Sequence, residues 1–105
     1  MIFQVGAALL DACVLAALRG EDAYGYMLTQ MLRESLEISE STLYPVLRRL
    51  QKEEYLRVYD EPYQGRNRRY YSITEKGQAK ALEYRGAWMD YRGRVDRLIL
   101  GGAAS

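Results

Sequence analysis

A mainly α fold carrying one small β hairpin is what this chain predicts, on three observations. Within residues 39–56, SESTLYPVLRRLQKEEYL, the apolar residues Leu43, Val46, Leu47 and Leu50 fall at i, i+3, i+4 and i+7, one stripe of a helix. Residues 56–61 and 68–73 are short β-rich runs joined by a segment containing Pro62 and Gly65, the pattern of a hairpin. Further on, Gly77, Ala81, Tyr84, Trp88, Tyr91, Val95 and Leu98 recur in alternating steps of four and three, a heptad seam of about three repeats.

The chain opens on residues 1–18, MIFQVGAALLDACVLAAL. No positive leader precedes the apolar run and Asp11 interrupts it, so it reads as a helix of a cytoplasmic protein rather than a signal peptide or a membrane span. Leu9, Leu10, Val14, Leu15 and Leu18 spread over more than one face, which predicts a central helix covered on two sides. Arg19, Gly20, Glu21 and Asp22 end it, with Gly20 available as a left-handed closing residue. Cys13 lies among alanines and reads as a small core residue rather than a reactive thiol.

Residues 23–36, AYGYMLTQMLRESL, predict a second helix with Tyr24, Leu28, Met31 and Leu32 as its apolar stripe. A turn over residues 37–39 leads into the third helix, which Ser39 or Ser41 can cap and which tolerates Pro45 if it begins near Ser41. Opposite its apolar stripe stand Ser41, Pro45, Arg48 and Lys52, flanked by Tyr44 and Arg49. Two short helices separated by a tight turn, the second presenting hydroxyls and then cations, form a helix-turn-helix, whose second helix enters the DNA major groove. The plainer alternative is an amphipathic helix with a solvated basic face; the segments on either side favour the first reading.

In residues 56–61, Leu56, Val58 and Asp60 alternate with Arg57, Tyr59 and Glu61. The following loop, residues 62–67, and the second run gather Arg66, Arg68 and Arg69 among Tyr63, Tyr70 and Tyr71. A hairpin placed after a helix-turn-helix is a wing, and its arginines suit phosphates or the narrow minor groove. The last helix, residues 74–100, has Thr74 as its cap, and its seam calls for a partner helix. Gly86 and Gly93, off the seam, each weaken it by about 1 kcal/mol relative to alanine. Residues 101–105 are expected to fray.

Composition narrows the function. A length of 105 residues suits one small domain. With 15 Lys and Arg against 14 Asp and Glu, attraction to a polyanion has to come from local clusters. The absence of His removes the usual general base and the commonest metal ligand, and a lone cysteine, Cys13, excludes an intrachain disulfide and multi-cysteine metal centres. The carboxylates are scattered without catalytic spacing, so no enzyme, cofactor or metal is expected.

Residues 11–18 (DACVLAAL), Tyr24-Gly25-Tyr26, residues 42–50 (TLYPVLRRL) and residues 69–77 (RYYSITEKG) together resemble the PadR family of bacterial transcriptional regulators, in its short branch with a single C-terminal helix. The resemblance spans nearly the whole chain. It implies a winged helix-turn-helix homodimer that binds operator DNA, often as a repressor relieved by small molecules or by dissociation. The chain departs from the family pattern at Glu54, where a glycine is usual after the reading helix, and in the last helix with Gly86 and Gly93.

The expected organisation is a winged helix-turn-helix DNA-binding unit in residues 1–73, N-terminal helix included, and a dimerisation helix with a frayed tail in residues 74–105. Ser41, Thr42 and Tyr44 are expected to reach base edges or nearby phosphates; Arg48, Arg49 and Lys52 to hold the backbone or guanines; Arg66, Arg68 and Arg69 to fix register from the neighbouring groove. Tyr84, Trp88, Tyr91, Val95 and Leu98 are the expected dimer contacts. Phe3, Trp88 and Tyr91 either fill that interface or bound a cleft for a small aromatic effector. The expected partners are therefore double-stranded operator DNA, a second copy of the chain and, as an open third, that effector, with no membrane. A competing reading is a protein-interaction module that uses the last helix and keeps the winged fold as a scaffold.

Overall fold

In the computed structural model, which describes residues 3–101, the elements follow in the order α1 (Ala7–Ala17), β1 (Ala23–Tyr24), α2 (Gly25–Leu36), α3 (Glu40–Lys52), β2 (Leu56–Tyr63), β3 (Arg66–Ile73) and α4 (Glu75–Ile99). The expected class holds: mainly helical, with a small antiparallel sheet in a winged helix-turn-helix arrangement.

Leu10, Val14, Leu15 and Leu18 are buried, and α1 packs against α2, α3 and α4, the central position its apolar faces predict. The helix starts later than expected. Gly6 takes an extended N-cap conformation, φ −77° and ψ 170°, which leaves Phe3 ahead of the helix and 74% exposed. Nor does Gly20 close the helix by turning left-handed. The Leu18 and Arg19 N–H groups donate to Leu15 and Ala16 at 3.2 and 3.3 Å, a tightened last turn that satisfies those carbonyls without a positive φ.

Ala23 and Tyr24 are a strand and not the start of the second helix. They pair with Tyr71 and Tyr70, so the sheet has the order β1-β3-β2. Two residues are too few for alternation to show in a sequence. The buried face of α2 is Leu28, Thr29 and Leu32, whereas Met31 is exposed and Tyr24 lies outside the helix altogether.

Ser39 caps α3, its Oγ accepting from the Thr42 N–H at 3.3 Å. Because α3 begins at Glu40, Pro45 sits beyond the first turn and cannot donate to the Ser41 carbonyl, yet the helix runs through it. Leu43, Val46, Leu47 and Leu50 are all buried, each gaining about 2 kcal/mol from leaving water. At the far end Glu54 adopts the left-handed conformation, φ 67°, that a glycine would take there. The Glu54 and Tyr55 N–H groups donate to Gln51 and Leu50, each at 2.9 Å, a Schellman closure completed without glycine.

The wing strands are each two residues longer than the β-rich runs, because pairing continues through Pro62 with Asn67 and Tyr63 with Arg66. The turn shrinks to Gln64 and Gly65, with φ of 51° and 80°, as a two-residue type I′ turn requires. Pro62 is tolerated because β2 is an edge strand.

Thr74 caps α4 as expected: its Oγ1 accepts from the Gly77 N–H at 3.0 Å and donates to the Glu54 carbonyl at 2.7 Å, tying α4 to the end of α3. The heptad seam divides in two. Gly77 and Ala81 are buried and Tyr84 is half-buried within the same chain, whereas Trp88, Tyr91 and Leu98 are 40, 62 and 84% exposed. Length explains the division, since the 25 residues of α4 span about 37 Å and the 11 of α1 only about 16 Å, so α4 overruns the helix it packs on. The helix is continuous through Gly86 and Gly93. The fraying expected of the tail falls outside the described residues from Gly102 onward. Among the described residues no helix is long and apolar enough to cross a membrane.

Candidate nucleic-acid interface

Capping at Ser39 makes the first turn of α3 a cluster of hydroxyls: Ser39 Oγ lies 2.9 Å from Ser41 Oγ and 3.0 Å from Thr42 Oγ1. Arg33 of α2 pairs with Glu40 at 3.2 Å and braces this turn. Ser41, Thr42 and Tyr44 are exposed, and Arg48 and Lys52 follow, exposed and without an ion-pair partner among the described residues.

The sheet brings the wing alongside. A groove of about 380 Å³ is lined by Tyr44, Arg48 and Gln51 of α3, Tyr24 and Tyr26, and Arg69 of β3. Two cations from different elements thus share one groove with four tyrosines, Tyr71 of β3 included, and the groove's one carboxylate, Glu40, is paired with Arg33, a combination of charge and hydroxyl donors suited to phosphates.

The rest of the wing is an aromatic row. Tyr59 and Tyr70 stack with centroids 5.4 Å apart and planes 9° off parallel, and Tyr24 lies 5.9 Å from Tyr70 on its other side. Tyr59 donates to Asp22 at 2.6 Å, and this hydrogen bond to a carboxylate pushes its phenol up to about 12. The Arg68 guanidinium sits 4.1 Å from the Tyr24 centroid and 3.5 Å from that of Tyr63, held by two ring faces. Arg69 faces Asp60 at 3.6 Å, an exposed pair worth at most about 1 kcal/mol that leaves Arg69 available. Arg66 stands exposed next to the turn.

Arg49 turns inward. One residue on from Arg48 is a rotation of about 100° around the helix, and its guanidinium pairs with Asp11 of α1, whose other oxygen accepts from Tyr84 of α4 at 3.4 Å. Of the nine residues expected at DNA, Arg49 and Arg68 are partly buried with their guanidinium groups engaged within the chain; Ser41, Thr42, Tyr44, Arg48, Lys52 and Arg66 are exposed, as is Arg69 despite its pairing with Asp60.

Within the single chain, two of the three aromatics expected to surround an effector share a cleft. Phe3 lies ahead of α1, whereas Trp88 and Tyr91, with centroids 6.4 Å apart, line an apolar cleft with Ala8, Leu9, Ala12 and Tyr84. Cys13 is half-buried beside a neighbouring part of that cleft, and burial pushes its thiol up, away from the reactive thiolate.

Sequence reasoning passed over Tyr24, Tyr26, Gln51 and Asp11. Gln51 was within reach, because it lies three residues from Arg48 and seven from Tyr44, on the same helical face. Tyr24 and Tyr26 joined the groove only through a strand too short to foresee.

Residues 14–83 match the family described as Transcriptional regulator PadR-like family. This chain belongs to that family. Among solved structures it is similar to smu.1704 from Streptococcus mutans, at 35% identity and a TM-score of 0.88 over 97% of this chain and 96% of that one. It also resembles a PadR-like transcriptional regulator from Bacillus cereus, at 32% identity and a TM-score of 0.80 over 89% of this chain and 93% of that one. A PadR family transcription regulator from Clostridium difficile is 26% identical, with a TM-score of 0.76 over 88% of this chain and 98% of that one. A Lysinibacillus sphaericus protein is 33% identical over 97 residues, 88% of this chain and 89% of its relative. PadR regulators bind DNA and are not enzymes, so the chain is a DNA-binding regulator of transcription. The matched span holds the helix-turn-helix, the wing and the core-packed start of α4, and it ends before Trp88.

Proposed function

We propose that the chain acts in the cytoplasm as a homodimeric repressor on a two-fold operator, with residues 1–73 as the DNA-reading unit and the exposed part of the last helix as the dimer contact. The observation that carries this reading is the groove in which Arg48 of α3 and Arg69 of β3 meet beside Tyr44. Ser41, Thr42 and Tyr44 read base edges from the N-terminal turn of α3; Arg48 and Lys52 hold the backbone; Arg66 and Arg69 fix register from the wing. Arg49 and Arg68 hold these surfaces in place from behind. Trp88, Tyr91, Val95 and Leu98 join the second copy, while Tyr84 chiefly packs on its own α1.

Random-sequence selection with the full chain tests the reading. A dyad-symmetric motif with half-sites about one DNA turn apart is the expected result. Selection of no motif would overturn it in favour of an interaction module that keeps the winged fold as a scaffold.

A second reading concerns control. The apolar cleft bounded by Trp88, Tyr91 and Tyr84 accepts a flat aromatic molecule, which can shift the dimer only by binding its DNA-competent and incompetent forms unequally. An effector of this kind quenches Trp88 and lowers operator affinity over one concentration range. Aromatic compounds that leave both unchanged across a broad screen would remove it.

A further inference from the structure

Three helices meet at one carboxylate. Asp11, on α1, accepts from Arg49 of α3 at Oδ1 and from Tyr84 of α4 at Oδ2, and its side chain is 14% exposed. The Arg49 side chain is 37% exposed, and an ion pair this open to water on one side contributes little, so stability alone does not account for it. What a hydrogen-bonded ion pair adds is direction. Hydrogen bonds from Thr74 and Lys76 to the Glu54 and Glu53 carbonyls fix only the C-terminal end of α3, and along the rest of the helix its contact with the core is made by leucine and valine side chains, whose attraction is non-directional. Arg49 and Asp11 instead meet in a narrow set of relative positions of α1 and α3.

We propose that Asp11 is a positioning residue for DNA reading: with the end of α3 already tied to α4 through Thr74, Asp11 holds Arg49 and accepts from Tyr84, a second point that sets the angle at which α3 stands relative to α4. This inference rests on the two-fold reading given above. In that dimer α4 joins the protomers and α3 enters the groove, so the relation of one to the other sets the distance between the two reading helices. A single preferred half-site spacing requires that relation to be rigid. The Tyr84 hydrogen bond is long, so Arg49 carries most of the link and Tyr84 extends it to α4. Tyr84 also lines the cleft beside Trp88, so whatever fills that cleft touches a residue bonded to Asp11.

The test uses the full chain and the operator that the wild type selects, together with versions whose half-site spacing is one base pair longer or shorter. Sedimentation and thermal unfolding first establish that each variant is a folded dimer. The wild type is expected to lose about a hundredfold in affinity on either altered spacing, whereas Asp11→Asn loses about tenfold on the selected spacing and separates the three by less than about threefold. Asp11→Glu, which keeps the carboxylate, is expected to restore a single preferred spacing. Tyr84→Phe removes only a hydroxyl, and it is expected to widen the tolerance in the same direction by a smaller factor, which keeps the test open should Asp11→Asn fail to fold. Wild-type spacing selectivity in both Asp11→Asn and Tyr84→Phe would overturn the proposal. So would tighter binding of Asp11→Asn to random DNA, because Arg49 would then be a phosphate contact set free. A wild type that selects no operator, or that sediments as a monomer, removes the two-fold reading and this inference with it.

Discussion

A Cβ added to Gly77 would overlap the backbone oxygen of Tyr55 and stand 2.7 Å from Ile73 Cγ1. The first turn of α4 therefore lies against the segment that leaves α3, and Thr74 seals the contact by donating to the Glu54 carbonyl. Gly77→Ala is expected to destabilise by about 1–3 kcal/mol, because the obstacle is backbone that cannot turn aside. At Gly86 an added methyl would meet nothing within 4 Å, so Gly86→Ala is expected to stabilise by about 0.5–1 kcal/mol. Chemical denaturation of the two variants checks the contrast, and equal effects would refute it.

Glu54 occupies a left-handed position with a side chain that disfavours it, at the negative end of the α3 dipole. Glu54→Gly is expected to raise stability by about 1 kcal/mol, a rise of roughly 4–8 °C in Tm for a domain of this size. Thermal unfolding measures it. Unchanged operator affinity in the same variant would show that the helix closure, and with it the angle of the wing, survives the exchange.

Burial holds Asp11 above the ordinary carboxylate range, and Arg49 is the strongest influence drawing it back down; Tyr84 also lowers it and Glu53 raises it. Arg49→Met removes that influence and lifts the carboxyl further. The native state then binds a proton more readily than the unfolded chain, so stability is lost as pH rises through the interval between the unfolded and folded values and returns on acidification. Arg49→Met is expected to cost about 1–3 kcal/mol near neutral pH and to recover part of it in mild acid. The double variant with Asp11→Asn should show little pH dependence over the same range. Urea titrations at several pH values decide this, and a single variant that weakens further on acidification contradicts it.

Much of this molecule was legible because its signals are local. The stripe of Leu43, Val46, Leu47 and Leu50, the caps at Ser39 and Thr74 and the hairpin around Gly65 depend on neighbours in sequence; the stripe and Thr74 appear as read, Ser39 is one of the two serines offered as the cap, and the hairpin appears with a tighter turn. What stayed hidden depends on pairs distant in the chain. Ala23 and Tyr24 become a strand only because β3 lies beside them, Arg49 leaves the outward face because Asp11 waits 38 residues away, and Arg68 is fixed by Tyr24 and Tyr63. The heptad seam was visible as a pattern, but which half of it would be filled by the chain's own α1 followed from relative helix lengths.

The division of the basic residues has a readout in salt. Each phosphate contact on duplex DNA contributes a slope of about −0.9 in log affinity against log salt. Arg48→Ala is expected to flatten the slope by about one unit and to weaken operator and random DNA alike, whereas Tyr44→Ala should lose discrimination between them and keep the slope. Arg68, stacked between rings, should behave differently from Arg48: Arg68→Ala is expected to loosen the wing, with a smaller change in slope. A slope that falls equally for Arg48→Ala and Arg68→Ala would place Arg68 on a phosphate.

The exposed end of α4 carries the last prediction. Tyr91 and Leu98 lie seven residues apart on the seam, Tyr91 at the rim of the cleft it shares with α1 and Leu98 past the end of that cleft, and both are open to water in the single chain. An apolar row of this kind is costly unless it is covered, and a second copy of the same helix covers it by symmetry, each fully buried large side chain contributing about 2 kcal/mol. Because neither residue belongs to the chain's own core, Tyr91→Asp with Leu98→Asp should leave the protomer folded while placing charges in the seam. Sedimentation is expected to give twice the chain mass for the wild type and the single-chain mass for the double variant. Affinity for a whole operator should fall steeply and affinity for an isolated half-site should stay, since the reading helix and wing are untouched. A double variant that still sediments as a dimer would mean that the protomers join elsewhere, and the exposed seam would then belong to a different protein.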